Sequence, residues 1–147
     1  MGDDVFVSEK NLVSKRWAVF EEDDNAGWLY LTEVNQTKPI ANCWIYNKVK
    51  APIFSEIEKY RPEAPPASIE FVDVNYLRLD VNEADVSFKW SNDGNSVAVS
   101  IQDTPMGFII FGEKRGYSRN LIKKCDWGNV FDGDKYALYF ERIGSLS

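Results

Sequence analysis

The feature that most constrains this chain is a stretch of strict alternation in its second half. Val86, Phe88 and Trp90 alternate with Asp85, Ser87 and Lys89, and Val97, Val99 and Ile101 alternate with Ser96, Ala98 and Ser100. A period of two puts each apolar set on one face of an extended strand. Between the two runs lies Ser91 to Asn95, which contains Asp93-Gly94, and glycine accepts the positive φ that closing a hairpin requires. Phe108 to Phe111 supplies a third strand after a turn at Asp103-Thr104-Pro105, so this half reads as an antiparallel meander.

The first half carries a second set of strand signals. Trp17 to Glu22 (WAVFEE) is followed by a polar break at Asp23-Asp24-Asn25, then by Gly27 to Leu31 and by Ile40 to Tyr46 (IANCWIY). The first two strands are apolar on both faces near their centres, which predicts a central position covered on two sides. Pro52 is suited to the first position of a short helix carrying Ile53, Ile57 and Tyr60 on one face. Residues 61–68 (RPEAPPAS) hold three prolines and form an extended connector. Residues 69–81 are expected to give one or two more strands, and Tyr136, Leu138 and Phe140 a last one.

These elements predict a mainly β, or β-rich α+β, fold: an antiparallel meander sheet curling into a small sandwich or barrel, with one or two short helices. A chain of 147 residues fits one domain, 1–147, since folding at this size hides roughly 70% of the unfolded surface. Lys and Arg number 17 against 23 Asp and Glu, a net charge of −6. That charge repels a phosphate backbone or an anionic bilayer and argues against nucleic-acid and membrane partners. Cys43 and Cys125 follow no metal or redox spacing and are read as reduced thiols. The first residues lack the basic start and apolar run of an export signal, and no stretch approaches the roughly 20 apolar residues of a membrane span. The expected location is the cytoplasm.

There is no histidine. This removes the commonest general base near neutral pH, the Ser-His-Asp and Cys-His arrangements and the usual catalytic zinc ligands. Three charged groupings carry what remains. Glu21, Glu22, Asp23 and Asp24 form an unbroken carboxylate run, read as a solvated turn, a face for a basic partner or, least favoured, a site for a hard cation. The run Lys114, Arg115, Arg119, Lys123 and Lys124 contains no acid and is either a solvated face or a dock for an anionic surface. Asp126, Asp132 and Asp134 miss the calcium-loop spacing and read as turn residues. Gly107, Gly112 and Gly116 make no phosphate-cradling pattern and read as bends and bulges. Trp17, Trp28, Trp44 and Trp90 lie in predicted strands, as core packing or as an aromatic platform. No cofactor and no metal are expected.

The segments WAVFEEDDNAGWLYL, KWSNDGNSVAVSI and EKRGYSRN, with Ile45 to Asn47, resemble the bacterial domain-of-unknown-function family twenty-two fifty-one. Together they are spread from Trp17 to Asn120, across roughly two thirds of the chain. Where that family has cysteine between Tyr and Arg, this chain has Ser118, which argues against thiol chemistry there. The family has no established activity, so the resemblance implies a cytosolic bacterial protein with a compact strand-rich domain.

The expected function is a non-catalytic binding protein of the immunity or antitoxin kind, occluding a basic toxin or other protein partner. The partner-binding residues expected are Glu21, Glu22, Asp23, Asp24, Trp28, Arg115, Tyr117 and Arg119. The alternative is a carboxylate-based small enzyme or small-ligand binder, with Glu21, Asp23 or Asp24 acting near Tyr117 and Arg119. Self-association into a homo-oligomer through the opposed charge patches is a third reading.

Overall fold

The computed structural model describes residues 4–61 and 64–141. Two sheets form the scaffold. The first is an antiparallel meander of β1 (Phe6–Lys10), β2 (Trp17–Glu22), β3 (Ala26–Thr32) and β4 (Pro39–Asn47), in chain order. The second runs through β5 (Val86–Trp90), β6 (Val97–Ile101), β7 (Thr104–Ile109), β8 (Tyr117–Ser118) and β9 (Asn129–Val130). It is antiparallel up to β8, and β9 lies parallel to β8.

The fold is a sandwich because alternate residues of both meanders are apolar and bury one common face. Ala18, Phe20, Leu29, Leu31, Cys43 and Ile45 from the first sheet meet Val97, Val99, Ile101 and Ile109 from the second. A register shift opposite Gly27 and Trp28 places an extra residue in β4, so that Ile45 and Tyr46 both join this layer. The sheets approach closely at two glycines. A Cβ on Gly107 would stand 2.6 Å from Ile45 Cδ1, and one on Gly116 2.5 Å from Cys43 Cβ. These glycines therefore mark inter-sheet contact rather than simple bends. On the same side, Asn42 bridges to Arg115 in parallel, and Gly116 N–H donates to the Asn42 carbonyl at 2.8 Å. Backbone bonds thus join β4 to the strand entering β8, and the sandwich curls shut along that edge.

Each sheet also has a covered outer face. Trp28 and Trp44 of the first sheet lie under Ala51, Ala67, Val72, Leu121 and Trp127. Phe108 and Ala98 of the second lie under Tyr136 and Phe140. β3 is consequently buried on both sides, as its sequence predicts, and so is the second half of β4. β2 is not: Ala18, Phe20 and Glu22 are buried while Trp17, Val19 and Glu21 are half-buried. No helix among the described residues is long and apolar enough to cross a membrane.

Several local expectations change. The chain after Pro52 is a 3₁₀ run, Phe54–Tyr60, with no buried residue and no side-chain cap. Most helical stability comes from burying an apolar face, and here Ile53 and Phe54 are exposed and Ile57 is only partly buried. Residues 69–81 hold a single 3₁₀ turn, Ile69–Phe71, and two isolated bridges, Val72 to Leu121 and Asn47 to Leu77, in place of strands. At the end of the connector Pro66, Ala67 and Ser68 are buried, while Pro62 and Glu63 lie outside the described residues. The turn before β7 is Gln102-Asp103, both at positive φ, and Thr104 and Pro105 already belong to the strand. Tyr136 to Phe140 is helical. Asp132 caps it by accepting from Lys135 N–H at 3.0 Å, and the short helix α1 (Gly133–Tyr136) runs into a wider π-type turn, Ala137–Glu141.

Candidate functional site

The four carboxylates of the predicted acidic site part company because β2 is a strand. Adjacent residues point to opposite faces, so Glu21 turns outward and Glu22 inward. Glu22 is buried, where it accepts from Tyr46 Oη at 2.5 Å and from Val5 N–H at 3.1 Å and lies 3.2 Å from Lys48 Nζ. Asp23 shapes the turn, its Oδ1 accepting from Asn25 N–H at 2.7 Å and Ala26 N–H at 2.8 Å. Asp24 is exposed. Burial, reinforced by the bond to Glu22, pushes the Tyr46 phenol far above its ordinary range.

Glu21 shares the outer face of the first sheet with a row of aromatic residues. Strand register sets Phe6 opposite Glu21 and Val19 opposite Tyr30. Phe6, Trp17, Val19 and Glu21 line a shallow pocket of about 310 Å³, with Phe6 54% exposed. Burial first, then the charges of Glu21 and Asp23, push the Tyr30 phenol up from 10.0 to about 12. Both carboxylates therefore lie near the Tyr30 phenol. Lys10 stands opposite Trp17 at the far end of the same face.

Trp28 and Arg115 come together in a second place. They line a groove of about 610 Å³ with Asn42, Phe54, Asp126 and Trp127. The groove lies where the 3₁₀ run, the connector and the turn before β9 meet the covered half of the first sheet. Trp28 is buried, stacked on Tyr30 at 6.5 Å, and its indole N–H has no acceptor among the described residues. Arg115 is exposed and touches Asn42 Oδ1 at 3.4 Å. Asn42 and Trp127 belong to this site and were not among the expected residues. Trp127 lies outside any strand, and the strand alternation that marked the other tryptophans gave no signal for it.

Tyr117 and Arg119 sit elsewhere, under and beside the C-terminal helix. Tyr117 stacks on Phe108 at 4.8 Å, donates to Glu113 Oε1 at 2.7 Å and accepts from Lys135 Nζ at 2.9 Å. The Arg119 guanidinium lies 4.2 Å from the Phe131 ring centre and donates from Nε to the Pro105 carbonyl at 2.6 Å. Arg119 lines a different cavity, of about 500 Å³, with Arg78, Asp73 and Asp80. The acidic run and the Tyr117–Arg119 pair thus contact separate sets of neighbours. Lys123, from the same basic run, reaches the Phe71 ring instead. Among the described residues no cluster of carboxylates and thiols converges as a metal ion would need. Both cysteines are free thiols, and burial pushes each one up.

The buried tyrosines make a pH prediction with a definite sign. A phenol held above its ordinary value of 10.0 keeps its proton longer in the folded chain than in the unfolded one. Its contribution to stability is whole below pH 10 and is lost as pH rises towards about 12 and beyond. Denaturant unfolding followed from neutral to alkaline pH should show that decline, and Tyr46→Phe should make it shallower. At neutral pH the same substitution should cost about 1–3 kcal/mol, because Glu22 loses a bond to its buried carboxylate.

No protein-family model, no curated protein and no solved structure matches this chain.

Proposed function

We propose that this chain is a non-catalytic binding protein that docks a basic protein surface on the outer face of β1, β2 and β3. The observation that carries the reading is that Glu21 lines one partly exposed face with Phe6 and Trp17, next to the half-buried Tyr30. Aromatic rings offer large rigid contact area and attract cationic side chains, and nearby carboxylates add charge complementarity. The net charge of −6 and the absence of histidine point the same way. A cytoplasmic protein of the immunity or antitoxin kind, occluding a basic toxin, is the role this chemistry fits, and membership of family twenty-two fifty-one belongs to the same proposal.

The test is co-expression with the product of the neighbouring gene, where that product carries a basic domain, followed by titration at low and high ionic strength. Affinity should fall as salt rises. Glu21→Lys and Trp17→Ala should each weaken binding by about tenfold or more with the circular dichroism unchanged. Binding that ignores salt and both substitutions would overturn the reading.

Small-ligand binding is a second reading, favoured by the groove at Trp28 and Arg115, whose volume of about 610 Å³ falls within the usual range for ligand sites.

A further inference from the structure

The groove carries a more specific assignment than its volume. Its walls are aromatic, with Trp28 and Trp127 almost wholly buried and Phe54 at the rim. Trp127 already spends its indole N–H on the Pro65 carbonyl at 3.1 Å, so what it offers a ligand is ring surface. Of the charged groups lining the groove, Arg61 and Glu58 neutralise each other at 2.8 Å. Arg115 and Asp126 do not. Neither has an ion-pair partner among the described residues, and they are not paired with each other. Both lie near Cys125, whose thiol feels Asp126 as a raising charge and Arg115 as a lowering one.

Two unneutralised charges of opposite sign beside an aromatic wall call for a ligand that carries both signs and a ring. A guanidinium offers a planar fork that matches a carboxylate, and a carboxylate matches an ammonium. Indole faces take up an aromatic side chain, and the buried Trp28 N–H has no acceptor among the described residues.

We propose that this groove binds a short zwitterionic peptide with an aromatic side chain, its carboxylate on Arg115, its ammonium on Asp126 and its ring against Trp28 and Trp127. The proposal rests on the small-ligand reading. It shares no lining residue with the pocket at Phe6, Trp17 and Glu21, so either site can fail without the other.

The experiment titrates the whole protein with L-phenylalanyl-L-phenylalanine, its N-acetyl form and its C-terminal amide, read by tryptophan fluorescence and calorimetry. The free dipeptide should bind saturably, and each blocked form about tenfold more weakly. Arg115→Gln should abolish the difference between acid and amide while keeping the penalty for acetylation. Asp126→Asn should do the reverse. Both side chains are at the surface of the groove, so the fold should survive, as circular dichroism will verify. Absence of saturable binding overturns the proposal, as does a dependence on ligand charge that persists unchanged in both variants.

Discussion

Replacing Phe108 with alanine is expected to cost about 3–5 kcal/mol and to release the C-terminal helix. The ring is fully buried on the outer face of β7 and is the hub of an aromatic cluster. Its centroid lies 4.8 Å from Tyr117, 5.2 Å from Phe131, 5.7 Å from Phe140 and 5.8 Å from Tyr136. Tyr136 and Phe140 belong to the helical segment, whose two buried residues both face Phe108. A short helix has little stability of its own, so losing the ring it packs on should free the whole segment. Denaturant unfolding should show the loss, and amide exchange should show protection falling first over residues 133–141. Leu138→Ala, on the same turn but 57% exposed, should move stability by no more than about 0.5 kcal/mol. Similar losses for the two variants would show that the helix is held by something other than this cluster.

The second large effect is expected at Asn47, which is fully buried at the end of β4. Its Oδ1 accepts from Trp44 Nε1 at 2.9 Å and from Ala67 N–H at 2.8 Å, and its Nδ2 donates to the Ala67 carbonyl at 2.9 Å. Its backbone accepts from Arg78 N–H at 3.0 Å and donates to the Tyr76 carbonyl at 2.7 Å. One residue therefore ties both the connector and the 76–78 segment to the first sheet. Asn47→Ala orphans three polar groups at once. Each costs about 1–3 kcal/mol if it stays buried, and the sum is limited because the connector can lift and let water in. A net loss of about 3–5 kcal/mol is expected, with exchange protection vanishing over residues 64–77 before the sandwich core opens. Ala64 and Pro65 line the groove at Trp28, so dipeptide binding should fall by more than the loss of stability alone accounts for. Asn47→Asp keeps the acceptor, loses the donor and buries a charge, and should be no better tolerated. A variant that stays stable with residues 64–77 still protected would remove Asn47 from this role.

How much of the site was legible depends on the residue. Of the eight expected partner-binding residues, Trp28 and Arg115 line one groove. Glu22 looked the same as its three neighbours in the acidic run, yet strand alternation sends it into the core, where Tyr46 and Lys48 receive it. Asn42, Asn47 and Trp127 carry no pattern of their own. Their roles arise from segments distant in sequence, such as the bond from Trp127 to Pro65 across 62 positions.

The same division runs through the fold. Alternation and an Asp-Gly turn were enough to locate β5 and β6, because local chemistry decides a hairpin. β1 leaves no clear signal because Phe6–Lys10 is a short, largely exposed edge strand with charged residues. Tyr136 and Phe140, four apart, satisfy both a strand period and a helical one. Only the exposure of Leu138 and the cap from Asp132 separate the two. β8 and β9 are two residues each, too short to leave a periodic signal.

By itself the sequence determined the strand-rich class, the hairpin of β5 and β6 and the lack of any imidazole, since each follows from the periodicity and type of neighbouring residues. The tertiary structure decided which carboxylate is buried, how the sheets close at Gly107, Gly116 and Asn42, and which aromatic and charged groups share a groove. Those outcomes depend on contacts between segments far apart in the chain, where packing and hydrogen-bond satisfaction, rather than local preference, select the arrangement.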